Sequence, residues 1–223
     1  MSAPILEFRA VTAVARPSSF YIGAGKRLFD LGLLVLAAPV VLPVTLFILA
    51  LVALTGANPL YAQLRVGRDG RVFRCWKIRT MVADADECLQ NLLARDPAAA
   101  QEWEVNQKLR NDPRITRLGR FLRRTSLDEL PQLWNVFTGS MSLVGPRPFT
   151  PEQAAAYAAG RKDAAYYRLR PGVTGLWQVS RRSEGSFVER AYYDAEYASS
   201  LRLSGDVSIL ARTVGVVLSA TGV

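Results

Sequence analysis

A run of 27 residues without a charged side chain, residues 31–57, most constrains how this chain of 223 residues can fold. About 20 apolar residues suffice for a helix that crosses the hydrocarbon core of a bilayer, and a chain this short has little protein in which to bury a longer one. The apolar core of a secretory signal is shorter and begins nearer the N-terminus. The run therefore predicts a helix inserted in a membrane.

Two prolines, Pro39 and Pro43, lie near the middle of this run. Each removes an amide donor and presses on the preceding turn, so a bend is expected there. Basic residues flank the run on both sides, with Lys26 and Arg27 before it. Because positive residues tend to stay in the cytoplasm, matched basic flanks favour a re-entrant, helix-break-helix hairpin. A kinked helix that spans the bilayer is the alternative.

The sequence divides into a tail at residues 1–25, the membrane segment at 26–57 and a folded domain at 58–223. In the domain, two β-type runs separated by Asp69 and Gly70 predict a small hairpin whose second strand carries Lys77 and Arg79 back toward the body. Residues 82–109 predict a helix that is interrupted near Pro97.

Further helices are predicted at residues 152–167 and 187–198. Residues 207–220 have a broad apolar face, which is typical of a helix on a membrane surface or in a core. The predicted fold class is α+β, mainly helical, with membrane-surface helices and the small hairpin beside the membrane segment.

Composition excludes several classes of enzyme. The chain has no histidine, which excludes His-dependent hydrolases and most zinc enzymes. Its two cysteines, Cys75 and Cys88, show neither disulfide-scaffold nor metal-ligand spacing, so they predict structural thiols in a reducing compartment. Any acid, base or nucleophile must then be Asp, Glu, Lys, Tyr, Ser or Cys.

The positive charge is regional. Residues 110–182 hold 13 Lys and Arg against 5 Asp and Glu, nearly the whole +9 excess of the chain. Nucleic acid is not the expected partner, because the region has no zinc signature, aromatic RNA motif or helix-turn-helix. Beside a membrane segment, the charge predicts binding of a phosphate-bearing substrate or a lipid headgroup.

The stretch RTSLDELPQLWNV places two adjacent carboxylates, Asp128 and Glu129, beside arginines. It can be interpreted as a capping box, with Ser126 as the N-cap of a helix and Glu129 reaching back to it. It can also be a reaction centre, because a carboxylate can attack phosphorus and form an acyl phosphate.

Two arginines are framed by residues that restrict the backbone. Arg147 lies between Pro146 and Pro148, and Arg170 is followed by Pro171. A fixed guanidinium suits phosphate oxygens, and with Arg123 and Arg124 these side chains suggest cations that converge on the carboxylate pair. A diphosphate substrate would need such cations and Mg²⁺ to neutralise its charge.

These motifs resemble the bacterial monotopic phosphoglycosyl transferases, the sugar transferases that prime polysaccharide synthesis, and most closely their short exopolysaccharide-priming members. The resemblance runs through most of residues 26–220, and the segments that carry it are KRLFDLGLLVLAAPVVLP, FRCWKIRTM, RTSLDELPQLWNVFTGSMSLVGPRP, RPGVTGLWQVS and ERAYYDAEY. It implies a re-entrant membrane helix, a lipid bilayer partner and a catalytic domain on the cytoplasmic face of the bacterial inner membrane.

The resemblance also implies a two-step reaction that needs Mg²⁺. Asp128 would attack the sugar-linked phosphorus of a UDP-sugar and release UMP, and polyprenyl (undecaprenyl) phosphate would then take the phosphosugar from the enzyme. Glu129 would be its partner, and both carboxylates could hold Mg²⁺. Arg147 and Arg123 match positions for phosphate handling. Arg170 is a weaker match, and Lys77 and Arg79 complete the phosphate-binding candidates.

The chain departs from the family pattern in three places. Ala38 precedes the membrane proline where Ser is common, Ser140 stands where an acidic residue is frequent, and Arg181 with Arg182 replaces a common Gly-Arg pair. The alternative function is a non-catalytic membrane scaffold of a polysaccharide assembly complex. Galactose or glucose is the expected sugar, while the pathway and the oligomeric state, including a homo-oligomer, stay open.

Overall fold

A computed structural model describes residues 21–56, 58–106, 109–158, 165–180 and 189–218. Helices predominate in this part of the chain, and two small sheets complete it, so the predicted α+β class is confirmed. The helices are α1 (Lys26–Ala53), α2 (Ala85–Arg95), α3 (Pro97–Asn106), α4 (Arg117–Thr125), α5 (Gln132–Thr138), α6 (Ala154–Ala158), α7 (Leu176–Ser180), α8 (Glu189–Ser199) and α9 (Leu203–Leu218). The strands are β1 (Leu60–Val66), β2 (Val72–Ile78), β3 (Ser142–Val144) and β4 (Gly172–Thr174).

The apolar run forms α1, a helix of 28 residues that continues through Pro39 and Pro43. With the preceding helical turn, Tyr21–Gly25, it is long and apolar enough to cross a membrane. Only 11% of its most apolar stretch is buried in the protein, so it is not a core helix. The predicted re-entrant hairpin is not confirmed, because α1 runs unbroken from Lys26 to Ala53. Helical structure also begins before the predicted boundary at residue 26.

Both ends of α1 contact the same domain. Near the N-terminal end, Arg27 donates a hydrogen bond of 2.8 Å to the carbonyl oxygen of Phe137 in α5. Near the C-terminal end, Ile48 is buried in a cluster with Leu122 of α4. Between these contacts lie exposed apolar side chains, among them Val35, Leu36, Val40 and Leu42. The middle of α1 therefore has an apolar surface that the rest of the described protein does not cover.

Strands β1 and β2 form the predicted antiparallel hairpin, which runs in register from Leu60 opposite Ile78 to Val66 opposite Val72. Asp69 and Gly70 lie in its turn with φ of 58° and 74°, left-handed conformations that suit Gly and are tolerated by Asp. Side chains alternate between faces along a strand, so Cys75 and Lys77 share one face with Gln63 and Arg65. This hairpin face is one wall of the candidate site.

Helix α5 is attached to the hairpin by one buried side chain, Asn135. Its Oδ1 accepts a hydrogen bond of 3.0 Å from the amide of Trp76, and its Nδ2 donates to the carbonyl oxygen of Arg74 at 2.8 Å. Nδ2 also donates to Ser140 Oγ at 3.1 Å, so the serine that departs from the family pattern supports this attachment.

Strands β3 and β4 pair in parallel, a sheet that the sequence did not predict because each strand has three residues. Their backbones approach closely. A Cβ atom on Gly172 would lie 2.1 Å from the amide nitrogen of Gly145, and one on Gly145 would lie 2.4 Å from the carbonyl oxygen of Arg170. Glycine is therefore required at both positions, and the pair brings the loop after β3 against the Arg170–Gly172 segment.

The remaining helices follow the prediction closely. The helix interrupted near Pro97 is confirmed: α2 ends at Arg95, and the side chain of Asp96 accepts hydrogen bonds from the first amides of α3. Of the helix predicted at residues 152–167, α6 is observed, and residues 159–164 lie outside the described part. Helix α9 buries Ile209 and leaves Val207 and Val214 half exposed, so it packs in the core on one face only.

A fully buried carboxylate, Asp206 of α9, attaches the start of α1 to the domain. It accepts hydrogen bonds from Tyr21 Oη at 2.6 Å, Lys26 Nζ at 2.7 Å and Tyr197 Oη at 2.8 Å. A second buried carboxylate, Asp30, accepts from Ser142 Oγ at 2.7 Å. Buried charges are tolerated when they are paired in this way, so these contacts fix the N-terminal end of α1.

We expect Asp206→Asn to lower the free energy of unfolding by about 3 kcal/mol, because it leaves Lys26 buried without its counter-charge. Denaturant unfolding in detergent would measure the change. Asp69→Asn is the matched control, since Asp69 is exposed and its 3.7 Å contact with Arg68 contributes little. Equal stability of the two variants would contradict the anchoring role of Asp206.

Candidate active site

The dyad, Asp128 with Glu129, lies on a short 3₁₀ turn between two helices. Ser126 has φ 57° and ψ 17°, a left-handed conformation that ends α4, and α5 begins only at Gln132. The predicted capping box is wrong, because Ser126 makes no side-chain cap bond and serves as the C-cap of α4. The side chain of Glu129 turns to cations instead.

Helix α4 is pressed against the end of β2, which fixes where the dyad turn begins. The side chain of Thr116 caps the helix by accepting from the amide of Gly119 at 2.9 Å. A Cβ atom on Gly119 would lie 2.0 Å from the carbonyl oxygen of Thr80, so only glycine permits this approach. Arg123 then donates from Nε to Thr80 Oγ1 at 2.9 Å.

Glu129 is held by two cations from different parts of the chain. Its Oε1 accepts from Lys77 Nζ at 2.7 Å and lies 3.4 Å from Arg147 Nη2. Burial alone would raise the pKa of Glu129, but the positive charges of Lys77 and Arg147 outweigh it and lower that pKa to about 2. Glu129 is therefore a fixed anion at neutral pH.

Asp128 has a different environment although it is the adjacent residue. Asp128 is buried, with 8% of the residue exposed. No other described residue donates a hydrogen bond to its carboxylate or forms an ion pair with it. Burial raises its pKa, Glu129 raises it further, and the charges of Lys77 and Arg123 oppose the shift. Asp128 is thus a desolvated carboxylate close to cations that do not neutralise it by contact.

The two carboxylates are therefore suited to different tasks, as is common where the pKa values of neighbouring acids are separated. Glu129 is already engaged and can orient cations or contribute a metal ligand. Asp128 has oxygens without partners among the described side chains, which leaves them available to an electrophile.

The backbone around Arg147 is held on both sides. The carbonyl oxygen of Pro146 accepts from the amide of Gly172 at 2.8 Å, and that of Pro148 accepts from Arg65 Nη1 at 3.2 Å. The next carbonyl, of Phe149, accepts from the amide of Val66 at 2.9 Å. The rigid presentation of Arg147 expected from its two prolines therefore also depends on β1 and on the start of β4.

Two further arginines, Arg65 and Arg190, belong to the same positive cluster and were not predicted. Burial lowers the pKa of both, that of Arg190 to about 10, and each is also lowered by the charge of Arg147. The guanidinium carbon of Arg190 lies 4.2 Å from the ring centre of Trp177. Arg65 could have been predicted from the sequence, because the two-residue period of a strand puts it on the same face of the hairpin as Lys77. No sequence pattern placed Arg190 near the dyad.

Two predicted phosphate-binding residues are not brought to the dyad. Arg79 donates from Nε to the carbonyl oxygen of Asn58 at 2.9 Å, at the exit of α1. Arg170 donates to the carbonyl oxygen of Gly139 at 2.9 Å, just beyond the C-terminal end of α5, where cations stabilise the helix dipole. Arg124 is exposed on the outer face of α4. Lys77, Arg123 and Arg147 are the predicted cations that do lie around the dyad.

The donor atoms fit Mg²⁺ only as part of a complex with substrate. Among the described residues, no group of three or more His, Cys, Asp or Glu side chains could hold a metal ion. Mg²⁺ is usually bound through one or two carboxylates, with substrate phosphates and water as the other ligands. Asp128 and Glu129 match that pattern and do not form a closed protein cage.

Comparisons with known proteins identify the family of this chain. A family model described as bacterial sugar transferase matches residues 21–220. The chain is 45% identical over 219 residues to the UDP-galactose-lipid carrier transferase of Erwinia amylovora, and 42% identical over 219 residues to the undecaprenyl-phosphate galactose phosphotransferase of Salmonella typhimurium. Each alignment covers 98% of this chain and 45% of the relative.

A third relative is of similar length. The chain is 41% identical over 216 residues to the exopolysaccharide production protein ExoY of Rhizobium meliloti, an alignment that covers 95% of this chain and 92% of that protein. The chain therefore spans less than half of the first two relatives and nearly all of the third.

We expect Asp128→Asn to raise the free energy of unfolding at neutral pH, because the buried charge that the variant lacks is unfavourable in the folded state. A raised pKa of an acid means that the protonated form is the one that stabilises the fold. The advantage of the variant should therefore shrink as the pH falls through the pKa of Asp128. Denaturant unfolding at a series of pH values would measure it.

The control in that series is Glu129→Gln, which should have the opposite sign. The lowered pKa of Glu129 stabilises the fold above the ordinary value of 4.5, and this contribution is lost as the pH falls toward about 2. The variant should lose roughly 2 kcal/mol at neutral pH, because Lys77 and Arg147 lose their acceptor. A less stable Asp128→Asn variant at neutral pH would contradict the account of the dyad.

Proposed function

The chain belongs to the bacterial sugar transferase family, and we propose that it transfers a sugar 1-phosphate from a UDP-sugar to undecaprenyl phosphate and releases UMP. The observation that carries the proposal is the buried Asp128 carboxylate, which has no hydrogen bond from another described side chain although cations surround it. Relatives named for undecaprenyl-phosphate galactose transfer and for exopolysaccharide production support a role in initiating exopolysaccharide synthesis.

In the first step, a carboxylate oxygen of Asp128 attacks the phosphorus that carries the sugar. A bond forms between that oxygen and phosphorus, and the bond from phosphorus to the bridging oxygen of the diphosphate breaks. UMP leaves with the electron pair, and the sugar phosphate stays on Asp128 as an acyl phosphate. Positive charge from Lys77, Arg123 and Arg147 stabilises the transferring phosphoryl group and the leaving UMP.

In the second step, a phosphate oxygen of undecaprenyl phosphate attacks the same phosphorus. The bond to Asp128 breaks, the carboxylate is regenerated, and the product is undecaprenyl diphosphate sugar. A carboxylate and a lipid phosphate both attack as anions, so neither nucleophile hands a proton to a separate base during the attack. This chemistry therefore needs no histidine base, which suits a chain that has none.

Glu129 has a positioning role in this proposal. Oε1 is occupied by Lys77 and Arg147, so Glu129 holds these two cations next to Asp128. Mg²⁺, held by Asp128 or Glu129 together with the donor diphosphate, would supply Lewis-acid neutralisation of the phosphate charge. Arg65 and Arg190 add positive charge near Arg147, whose own charge lowers the pKa of both.

We also propose that α1 enters the inner membrane and returns, so that the catalytic domain lies on the cytoplasmic face. The support is that both ends of α1 contact one domain, through Arg27 and Ile48. If the two ends lay in opposite compartments, they could not both contact it. A bend is favoured by the two prolines and by Thr45, whose hydroxyl donates to the carbonyl oxygen of Val41 at 2.7 Å. Thr45 thus brings a hydroxyl to the bend although Ala38 precedes the first proline.

We predict that Asp128→Asn abolishes UMP release from a UDP-sugar in the presence of undecaprenyl phosphate and Mg²⁺. The assay would use the full chain with UDP-galactose and UDP-glucose first, because relatives are named for these sugars. Without the lipid acceptor, the parent enzyme should release at most one UMP per chain and retain labelled sugar phosphate. A chelator should abolish both reactions.

Two controls separate chemistry from folding. Asp69→Asn removes one exposed carboxylate far along the chain from the dyad and should leave turnover unchanged. Arg170→Lys should affect stability more than kcat, whereas Arg147→Lys should lower kcat at least tenfold because the fork to phosphate is lost. Undiminished turnover in Asp128→Asn would refute the nucleophile and favour the non-catalytic scaffold.

We predict that single cysteines placed at Ile22 and at Asn58 react with a membrane-impermeant thiol reagent from the same side of inverted inner-membrane vesicles. Both residues are exposed and flank α1. Cys88 would be replaced by Ser, while Cys75 is 1% exposed and does not compete. Reaction from opposite sides would mean that α1 spans the bilayer.

A further inference from the structure

The outer face of α4 is cationic. Arg117, Arg120, Phe121 and Arg124 follow the spacing i, i+3, i+4 and i+7, which puts them on one side of a helix. All four are exposed, Phe121 to 56%. The opposite side of the helix carries Leu118 and Leu122, which pack inward.

These arginines have no counter-charge in the part of the chain that the structure describes. None of the three guanidinium groups lies within 4.0 Å of a described carboxylate, whereas Arg114 and Arg147 each have one. Like charges at these spacings on a nine-residue helix repel one another, so the face favours an anionic ligand. Phe121 adds an exposed aromatic ring to the same face.

The two helices that contact the ends of α1 also carry exposed aromatic side chains. Phe121 belongs to the helix whose inner face buries Leu122 against Ile48 and Val52, near the C-terminal end of α1. On α5, Trp134 and Phe137 are 59% and 52% exposed, with ring centres 5.3 Å apart. The carbonyl of Phe137 is the acceptor for Arg27, near the N-terminal end of α1.

We propose that these six residues form a collar that seats the domain on an acidic bilayer. The collar consists of Arg117, Arg120, Phe121, Arg124, Trp134 and Phe137. The arginines bind the phosphate groups of anionic lipids, and the aromatic rings lie at headgroup level, where Trp and other amphipathic rings accumulate. Charge complementarity, and the attachment of α4 and α5 to the two ends of the apolar helix, identify the occupant as an anionic lipid surface. The inference rests on the membrane insertion of α1 proposed above, and it does not depend on turnover.

The collar would also set the height of the dyad above the membrane. Helix α4 ends at Thr125, and Asp128 follows three residues later on a turn whose start is fixed by Ser126. The close contact of Gly119 with Thr80 fixes α4 against the domain. Since Ser126 both ends α4 and begins the dyad turn, the helix and the turn move together. Binding of lipid phosphates to α4 therefore brings Asp128 to the level at which a lipid-borne phosphate would present itself.

The test measures immersion of a nitroxide attached at Phe121→Cys in a Cys88→Ser background. The full chain would be placed in nanodiscs of phosphatidylcholine with or without phosphatidylglycerol. Power saturation with oxygen and with a water-soluble nickel chelate reports whether the label lies in lipid or in water. We expect immersion in the discs that contain phosphatidylglycerol and little immersion in pure phosphatidylcholine or at high salt.

The decisive variant is Arg120→Gln with Arg124→Gln. Each arginine near an anionic surface changes binding about fivefold, so removing two shifts the docking equilibrium roughly 25-fold and returns the label to water. Arg95→Gln with Arg110→Gln removes the same charge from exposed positions outside the collar and should leave immersion unchanged. Equal immersion in both lipids, or in both double variants, would overturn the proposal.

UMP release in the same nanodiscs separates this inference from the proposed function. Lipid-dependent immersion without UMP release would retain the collar and reject the transferase activity. UMP release with lipid-independent immersion would retain the transferase activity and reject the collar. A second label, at Leu36 in the exposed middle of α1, verifies insertion, and an aqueous signal there would overturn the membrane seat and the collar together.

Discussion

The contact between Glu129 and its two cations holds the candidate site together. Lys77 comes from the hairpin, Glu129 from the turn between α4 and α5, and Arg147 from the loop after β3. One carboxylate oxygen thus joins three segments that are far apart in sequence. Because the ion pairs lower the pKa of Glu129, its carboxylate is charged at neutral pH. Lys77 and Arg147 are therefore held in place before any phosphate binds.

The cost of this arrangement falls on Asp128. Its neighbour takes the direct contacts of Lys77 and Arg147, and Asp128 is left buried with a raised pKa. A carboxylate in that state is less stable and more reactive than one that is paired, which is the compromise expected where a fold retains strain for chemistry. A carboxylate nucleophile suits a chain without histidine, because a carboxylate attacks as its anion and needs no general base.

The apolar helix α1 and the candidate site share the same framework. Asp206 and Asp30 bind the start of α1 to α9 and β3, and the far end of α1 packs on α4, the helix that leads into the dyad. Arg27 and Arg170 add to this framework, because each donates to a carbonyl at or just beyond the C-terminal end of α5.

The sequence by itself determined the local elements and the family. Apolar length predicted α1, the Asp69–Gly70 turn predicted the hairpin, Pro97 separated α2 from α3, and the quoted motifs identified the family together with Asp128, Glu129, Arg123 and Arg147. These features depend on neighbouring residues and on residue type, which a sequence displays directly. Tertiary structure decided which cations meet the dyad: it added Arg65 and Arg190, took Arg79 and Arg170 to backbone carbonyls elsewhere, and made Ser126 a C-cap. Those outcomes depend on contacts between segments distant in sequence, on close backbone approaches such as Gly119 against Thr80, and on burial, none of which local spacing can specify.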